Sequence, residues 1–142
     1  MVACEVDHEI ILSEPMRNRT AGEMVATYLK LMACLNKAGL KPKKQILDNE
    51  VSEEYKDAII EEVGNYELVP KGQHRRIIAE KAIQTWKAHA IGVLSGVPPS
   101  FPLQIWDLLL PQIDMQLNML RFSHVTPDIS SWAILHGQHD FN

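Results

Sequence analysis

The chain has 142 residues, of which 46% are hydrophobic and 23% are charged, and its formal net charge is −4. This length supports one hydrophobic core, and the composition is that of a folded domain rather than a disordered segment. The negative net charge excludes a protein that coats nucleic acid through a broad basic surface. We therefore expect one domain over residues 1–142.

The apolar runs, of which residues 108–110 are an example, are too short to cross a bilayer. Acidic residues at positions 5, 7 and 9 interrupt the stretch that a signal peptide would need. Cys4 and Cys34 are too few and too far apart for a zinc site. We expect an intracellular protein of the nucleus or cytoplasm that has no membrane partner.

Strand and helix signals alternate in the first half of the chain. The segment from Cys4 to Met16 contains the apolar run of residues 10–12 and predicts a strand that Pro15 closes. Thr20 and Glu23 form the capping-box pattern at the start of a helix, and Gly39 ends it. A short strand is predicted at residues 44–47.

The second half is predominantly helical. Ser52 caps a predicted helix that ends at Gly64, and a brief strand follows at residues 66–69. A long helix is predicted at residues 75–94. Its expected buried stripe consists of Ala79, Ile83, Trp86, Ala90 and Leu94.

A second long helix is predicted at residues 102–122, with a kink at Pro111 and an irregular tail from Thr126. This order of elements predicts an α/β fold in which helices pack on a small mixed sheet, followed by two long C-terminal helices.

Two acidic residues lie in basic surroundings. Asp48 follows the strand at residues 44–47, and Glu80 lies 32 positions later in the long helix. Between residues 70 and 90 Glu80 is the single acid among five basic residues, which are Lys71, Arg75, Arg76, Lys81 and Lys87. A strand-end Asp and a helix Glu are suited to hold Mg²⁺ or Mn²⁺, and nearby cations then position nucleic acid phosphates.

The spacing of Arg76, Glu80, Gln84 and Lys87 places these side chains on one face of the long helix, opposite its apolar stripe. The simpler interpretation is a solvated face with weak ion pairs, and for Asp48 a turn residue. Spacing alone favours the simpler interpretation.

The order of the short motifs resembles the integrase catalytic core of copia-type retroelements. The matching blocks are Leu47-Asp48-Asn49, Ala79-Glu80-Lys81, residues 82–86, 101–107 and 117–120, and Val125-Thr126-Pro127. The resemblance implies an RNase H-like fold and Mg²⁺-dependent phosphoryl transfer on DNA, with Asp48 and Glu80 as catalytic metal ligands. It also implies DNA contacts by Arg75, Arg76, Gln84 and Lys87, and a homo-oligomer.

The chain departs from the family in two respects. The first catalytic Asp of the family has no counterpart, because the strand that carries it precedes the opening segment of this chain. The interval of 32 residues between Asp48 and Glu80 is shorter than usual for the family. We therefore expect an N-terminally truncated integrase core that is inactive alone. The alternative is a non-catalytic module for nucleic acid binding or oligomerisation.

Overall fold

A computed structural model describes residues 1–47, 51–70 and 76–137, with side chains from residue 78 onward in the last range. The strands are β1 (Val2–Glu5), β2 (Ile10–Ser13), β3 (Gln45–Leu47) and β4 (Tyr66–Leu68). The helices are α1 (Ala21–Lys37), α2 (Glu53–Val63), α3 (Arg76–Ser95), a 3₁₀ segment (Leu103–Leu109), α4 (Leu110–Met119) and α5 (Ser131–His136). The predicted mixed α/β class is confirmed.

The strands of the described ranges form two separate two-stranded sheets rather than one small mixed sheet. β1 and β2 pair antiparallel, and β3 pairs with β4 in parallel. The first predicted strand is in fact a hairpin, since β1 precedes the apolar run of β2. Glu9 closes the connection with a φ of 58°, a left-handed conformation that is uncommon for a residue with a side chain.

Helix ends in the first half follow the sequence signals. The hydroxyl of Thr20 accepts the backbone N–H of Glu23 at 3.4 Å, and Ser52 caps α2 in the same way. Gly64 ends α2 in the left-handed conformation. The carboxylate of Glu23 accepts the backbone N–H of Arg17 at 3.1 Å, so that only one half of the predicted capping box is present.

The main core lies between the strands and the layer formed by α1, α2 and α5. Residues from both sheets contribute to this one cluster, which therefore spans the two sheets. Its buried members are Ile10, Leu12, Tyr28, Leu31, Met32, Leu35, Leu47, Tyr55, Ile59 and Leu135. Two smaller clusters, around Ile11 and Ile113, join the β1–β2 hairpin to α3 and join α3 to α4.

Polar side chains of α4 bind the backbone of β2 along the edge that faces away from β1. The amide oxygen of Asn118 accepts the backbone N–H of Ile11 at 2.9 Å, and its amide nitrogen donates to the Ile11 carbonyl at 2.7 Å. One turn earlier, the carboxylate of Asp114 accepts the backbone N–H of Ser13 at 2.7 Å. Asn118 is completely buried.

The C-terminal part differs from the predicted long helix. Residues 103–109 form a 3₁₀ segment in which Ile105 is not helical, and only α4 is α-helical. Pro111 stands in the first turn of α4, where a missing N–H costs nothing, and so it starts the helix instead of kinking it. The predicted irregular tail contains α5, which Ser130 caps.

No helix in the described part of the chain is both long enough and apolar enough to cross a membrane.

Candidate functional site

Of the two predicted metal ligands, Asp48 lies between β3 and β4 in the sequence and Glu80 lies after β4. β3 ends at Leu47, directly before Asp48, but Asp48 lies outside the described residues, as does Arg75. Glu80 lies in the second turn of α3 with an exposed side chain. Within the described ranges, no group of three or more His, Cys, Asp or Glu residues is placed to hold a metal ion.

The predicted polar face of α3 is exposed where its side chains are described. Glu80, Gln84 and Lys87 are all exposed, and their spacing of four and three residues places them on one side of the helix. Of Arg76 the structure describes the backbone alone, as the first residue of α3. One cation and one amide are therefore available to a ligand on this surface.

The predicted buried stripe of α3 is correct in its C-terminal half and wrong in its N-terminal half. Ala90 is buried and Trp86 is half-buried, and both pack against residues of α4. Ala79 and Ile83 are exposed, and the buried residue in that half is Ala82, which packs against Ile11. The reason is that the N-terminal half of α3 borders a cavity rather than a packed layer.

This cavity, here called the central groove, has a volume of about 720 Å³ and lies between β1 and β3. Residues 41–44, here called its mouth, line it together with residues of helices α1 and α3. Four of its lining residues are large apolar side chains that are 37–48% exposed: Val6, Ile46, Ile78 and Ile83.

Charged residues line the central groove. Lys44 forms an ion pair with Glu67 of β4, and the Glu5 carboxylate binds Nδ1 of His8 at 3.0 Å. Lys41 and Lys43 also line the groove and are in no ion pair with another described residue. The mouth therefore has two cations that a ligand could neutralise.

Two tyrosines lie behind the groove, with their rings edge to face at a centroid distance of 5.3 Å. Burial raises the pKa of Tyr55 to about 12, and burial, with smaller contributions from Tyr55 and Glu62, raises the pKa of Tyr28 even further. The hydroxyl of Tyr28 is buried and has no hydrogen-bond partner within the described ranges. An unsatisfied buried hydroxyl is costly to the stability of the fold.

A second polar cluster joins the hairpin to the segment after α4. Arg121 donates to the backbone carbonyl of Glu9 at 2.8 Å and forms an ion pair with the Glu9 carboxylate. Nε2 of His124 lies 2.8 Å from the same carboxylate. These contacts hold Glu9 in its left-handed conformation, and we assign this cluster a structural role.

The sequence interpretation missed the central groove. The sequence signal for the groove is the pair Ile46-Leu47. Consecutive residues of a strand point to opposite faces, so two consecutive apolar residues predict that both faces of β3 are covered by other parts of a protein. The structure covers Leu47 with α1 and α2 and leaves Ile46 40% exposed.

Comparison with known proteins finds no matching family model, no matching curated protein and no matching solved structure. The likeness to integrases therefore rests on the short motifs quoted above.

Proposed function

We propose that this chain is an integrase-core-type module that engages DNA, in which Asp48 and Glu80 bind Mg²⁺ or Mn²⁺. The supporting observation is the parallel pairing of β3 with β4. Parallel strands present their C-terminal ends at the same edge of a sheet, where α/β proteins bind ligands. Asp48 follows the end of β3, and the segment after β4 leads from that edge into α3, which carries Glu80.

The proposed chemistry is limited by the number of carboxylates. Phosphoryl transfer with two metal ions needs carboxylates that bridge both ions. The resemblance identifies two of the three catalytic carboxylates of the family in this chain. We therefore propose metal binding with little or no strand transfer by this chain alone. We also propose that the chain adopts a partial RNase H-like fold. The element order β3–α2–β4–α3 and the parallel pairing of β3 with β4 support this fold.

Metal binding is tested by thermal melting with and without Mg²⁺ and Mn²⁺. The wild type should melt at a higher temperature with metal, because a ligand of the folded state stabilises it. The Asp48→Asn, Glu80→Gln double variant should lose this rise. The matched control is Asp57→Asn, Glu61→Gln, which removes the same two charges from exposed positions of α2 and should retain the rise. A wild type that shows no rise, or a double variant that retains it, contradicts the proposal.

A second candidate function is DNA binding without catalysis, and the exposed Gln84 and Lys87 of α3 favour it. Together with Arg75 and Arg76 they would contact phosphates. Fluorescence anisotropy with a labelled DNA duplex at several salt concentrations tests this function. Lys87→Ala should weaken binding and reduce the slope of log K against log salt by about 0.9.

The controls of the DNA experiment separate the two candidate functions. Lys37→Ala removes an exposed cation from α1 and should leave DNA binding unchanged. Glu80→Ala should preserve DNA binding if the function is binding alone. Loss of DNA binding in Glu80→Ala counts against the second candidate, and an unchanged salt slope in Lys87→Ala counts against both.

We also propose that the chain self-associates through the 3₁₀ segment. Leu103 and Leu108 are 66% and 68% exposed, and a depression of about 260 Å³ beside Trp106 has apolar walls. Apolar surface of this kind is typical of interaction sites. Sedimentation at increasing concentration should show dimers for the wild type and monomers for Leu108→Gln. Dimers that persist in Leu108→Gln would exclude this surface.

A further inference from the structure

We propose that the central groove receives an extended strand of another polypeptide, which pairs with β1 on one side and with β3 on the other. The two small sheets would become one sheet of five strands. This inference requires neither metal nor DNA and stands apart from the function proposed above.

The free edge of β1 faces away from β2. Cys4 stands directly opposite Ile11 in the antiparallel pair. Both backbone groups of Ile11 bind Asn118 and therefore point away from β1. In an antiparallel pair, the backbone N–H and C=O groups of two opposite residues point either toward each other or away from each other. The backbone groups of Cys4 therefore point away from β2, and so do those of Val2, two residues earlier.

The free edge of β3 is defined in the same way. The backbone N–H of Gln45 donates to Asn65 at 3.1 Å, and the carbonyl of Leu47 accepts from Val69 at 3.0 Å. Both residues therefore face β4, and the intervening Ile46 faces the other side. The Ile46 carbonyl has one long contact of 3.5 Å from the Gln45 side chain. Within the described part of the chain, β1 and β3 therefore each present backbone groups at an edge that pairs with no other strand.

The walls of the groove are apolar above and below the plane of the strands. Four side chains of α1 line one side: Tyr28, Leu31, Met32 and Leu35. Four side chains of α3 line the other: Ile78, Ala79, Ala82 and Ile83. A strand that is covered on both faces has a continuous apolar sequence rather than an alternating one. The expected ligand is therefore a run of apolar residues.

The size of the groove agrees with a short strand. Its volume is about 720 Å³. Protein interiors contain few voids larger than one water molecule. β1 has four residues and β3 has three. A ligand strand can therefore pair with both β1 and β3 over three to four residues.

The mouth of the groove determines the charge of the ligand. Lys41 and Lys43 lie there and are in no ion pair with another residue of the described ranges, whereas Lys44 pairs with Glu67. The acid Asp7 also lines the groove, next to β1 and outside the segment 41–44. An acidic residue at one end of the bound strand would neutralise these lysines.

A synthetic peptide provides the test. Its sequence is Thr-Val-Ile-Val-Ile-Asp-amide, with a fluorophore joined to the N-terminal amine through an amide bond. The matched control peptide carries N-methyl groups on alternate residues, which removes backbone donors while retaining every side chain. We expect binding of the first peptide and a loss of at least about tenfold for the second, or about 1.4 kcal/mol. Equal binding of the two peptides would overturn the proposal.

Variants of the protein locate the binding site. Ile83→Glu places a charge inside the groove and should weaken peptide binding at least about tenfold, or about 1.4 kcal/mol. Ile60→Glu, on α2 and 47% exposed, lies outside the groove and should have no effect. If Ile83→Glu does not melt cooperatively, Ile78→Gln replaces it. Peptide binding that is unchanged in a folded groove variant would overturn the proposal.

Hydrogen exchange identifies the pairing and the occupant. Peptide binding should slow exchange at the amides of Cys4 and Ile46, the residues whose backbone groups point into the groove. A different result would be slow exchange at both amides in a concentrated sample without peptide, together with dimers in sedimentation. That result would mean that a second copy of the chain occupies the groove, and it would overturn the proposal. Unchanged exchange at Cys4 and Ile46 with bound peptide would also overturn it.

Discussion

The carboxylate of Asp114, on α4, accepts a hydrogen bond from the indole N–H of Trp86, on α3, at 3.0 Å. The same carboxylate accepts from the backbone N–H and the hydroxyl of Ser13 at 2.7 and 2.8 Å. One buried side chain therefore joins the hairpin to both helices. Burial raises the pKa of Asp114 above 3.8, and the hydrogen bonds from Ser13 and Trp86 oppose this shift.

The raised pKa of Asp114 predicts a specific dependence of stability on pH. The folded state binds this proton more tightly than the unfolded state, so the contribution of Asp114 to stability is largest below about pH 3.8 and falls as pH rises through the raised value. The measurement is urea unfolding at a series of pH values for the wild type and Asp114→Asn. The difference in unfolding free energy between them should decline from about pH 4 upward.

The control for this titration is Asp57→Asn, which changes an exposed acid on α2. Its difference from the wild type should lack the decline seen for Asp114→Asn. A difference for Asp114→Asn that rises with pH would show that the hydrogen bonds outweigh burial, contrary to the stated direction.

Asn118→Ala should destabilise the fold by about 2–4 kcal/mol, because it leaves the buried N–H and carbonyl of Ile11 without partners. The measurement is the midpoint of urea unfolding at an unchanged m-value. Asn36→Ala, an exposed position on α1, is the control and should change stability by less than about 0.5 kcal/mol. Equal effects of the two variants would show that the contacts of Asn118 contribute little.

Two glycine variants should change stability in opposite directions. Gly64 has a φ of 83°, and an added Cβ would meet no atom within 4 Å, so Gly64→Ala should cost about 1 kcal/mol through backbone strain alone. Gly92 lies inside α3 with similar open space, and Gly92→Ala should stabilise by about 0.5–1 kcal/mol. Thermal melts of both variants test this, and a shift of the same sign in both would contradict it.

Cys4 should react slowly with alkylating reagents in the native protein. Burial raises the pKa of its thiol to about 11, with a smaller opposing effect of Arg121, and the thiolate is the reactive form. The measurement uses a Cys34→Ser variant, so that Cys4 is the one remaining thiol, and iodoacetamide at pH 8. We expect labelling in denaturant to be at least about tenfold faster than in buffer. Similar rates in both would contradict the burial of Cys4.

Local signals in the sequence were sufficient for the helices of the first half. Thr20, Ser52 and Gly64 act through bonds or backbone angles within a few residues of themselves, so their roles can be predicted without knowledge of the fold. The same is true of the short strands β3 and β4, which lie at the predicted positions.

Features that depend on tertiary packing were predicted less well. The stripe of α3 was assigned from one helical period, but α4 packs against its C-terminal half while Ala79 and Ile83 line the central groove. β1 was missed because its connection to β2 contains no glycine, and Glu9 adopts the left-handed angle instead. The predicted pair of Asp48 and Glu80 remains a prediction, because Asp48 lies outside the described residues.

The hydrogen bonds that α4 makes with β2 determine the direction in which the hairpin sheet can grow. Asp114 and Asn118, four residues apart on the helix, bind Ser13 and Ile11, two residues apart on the strand. Their side chains occupy the positions that a neighbouring strand would occupy. The outer side of β2 is therefore blocked against edge-to-edge aggregation, and a further strand can be added only beside β1.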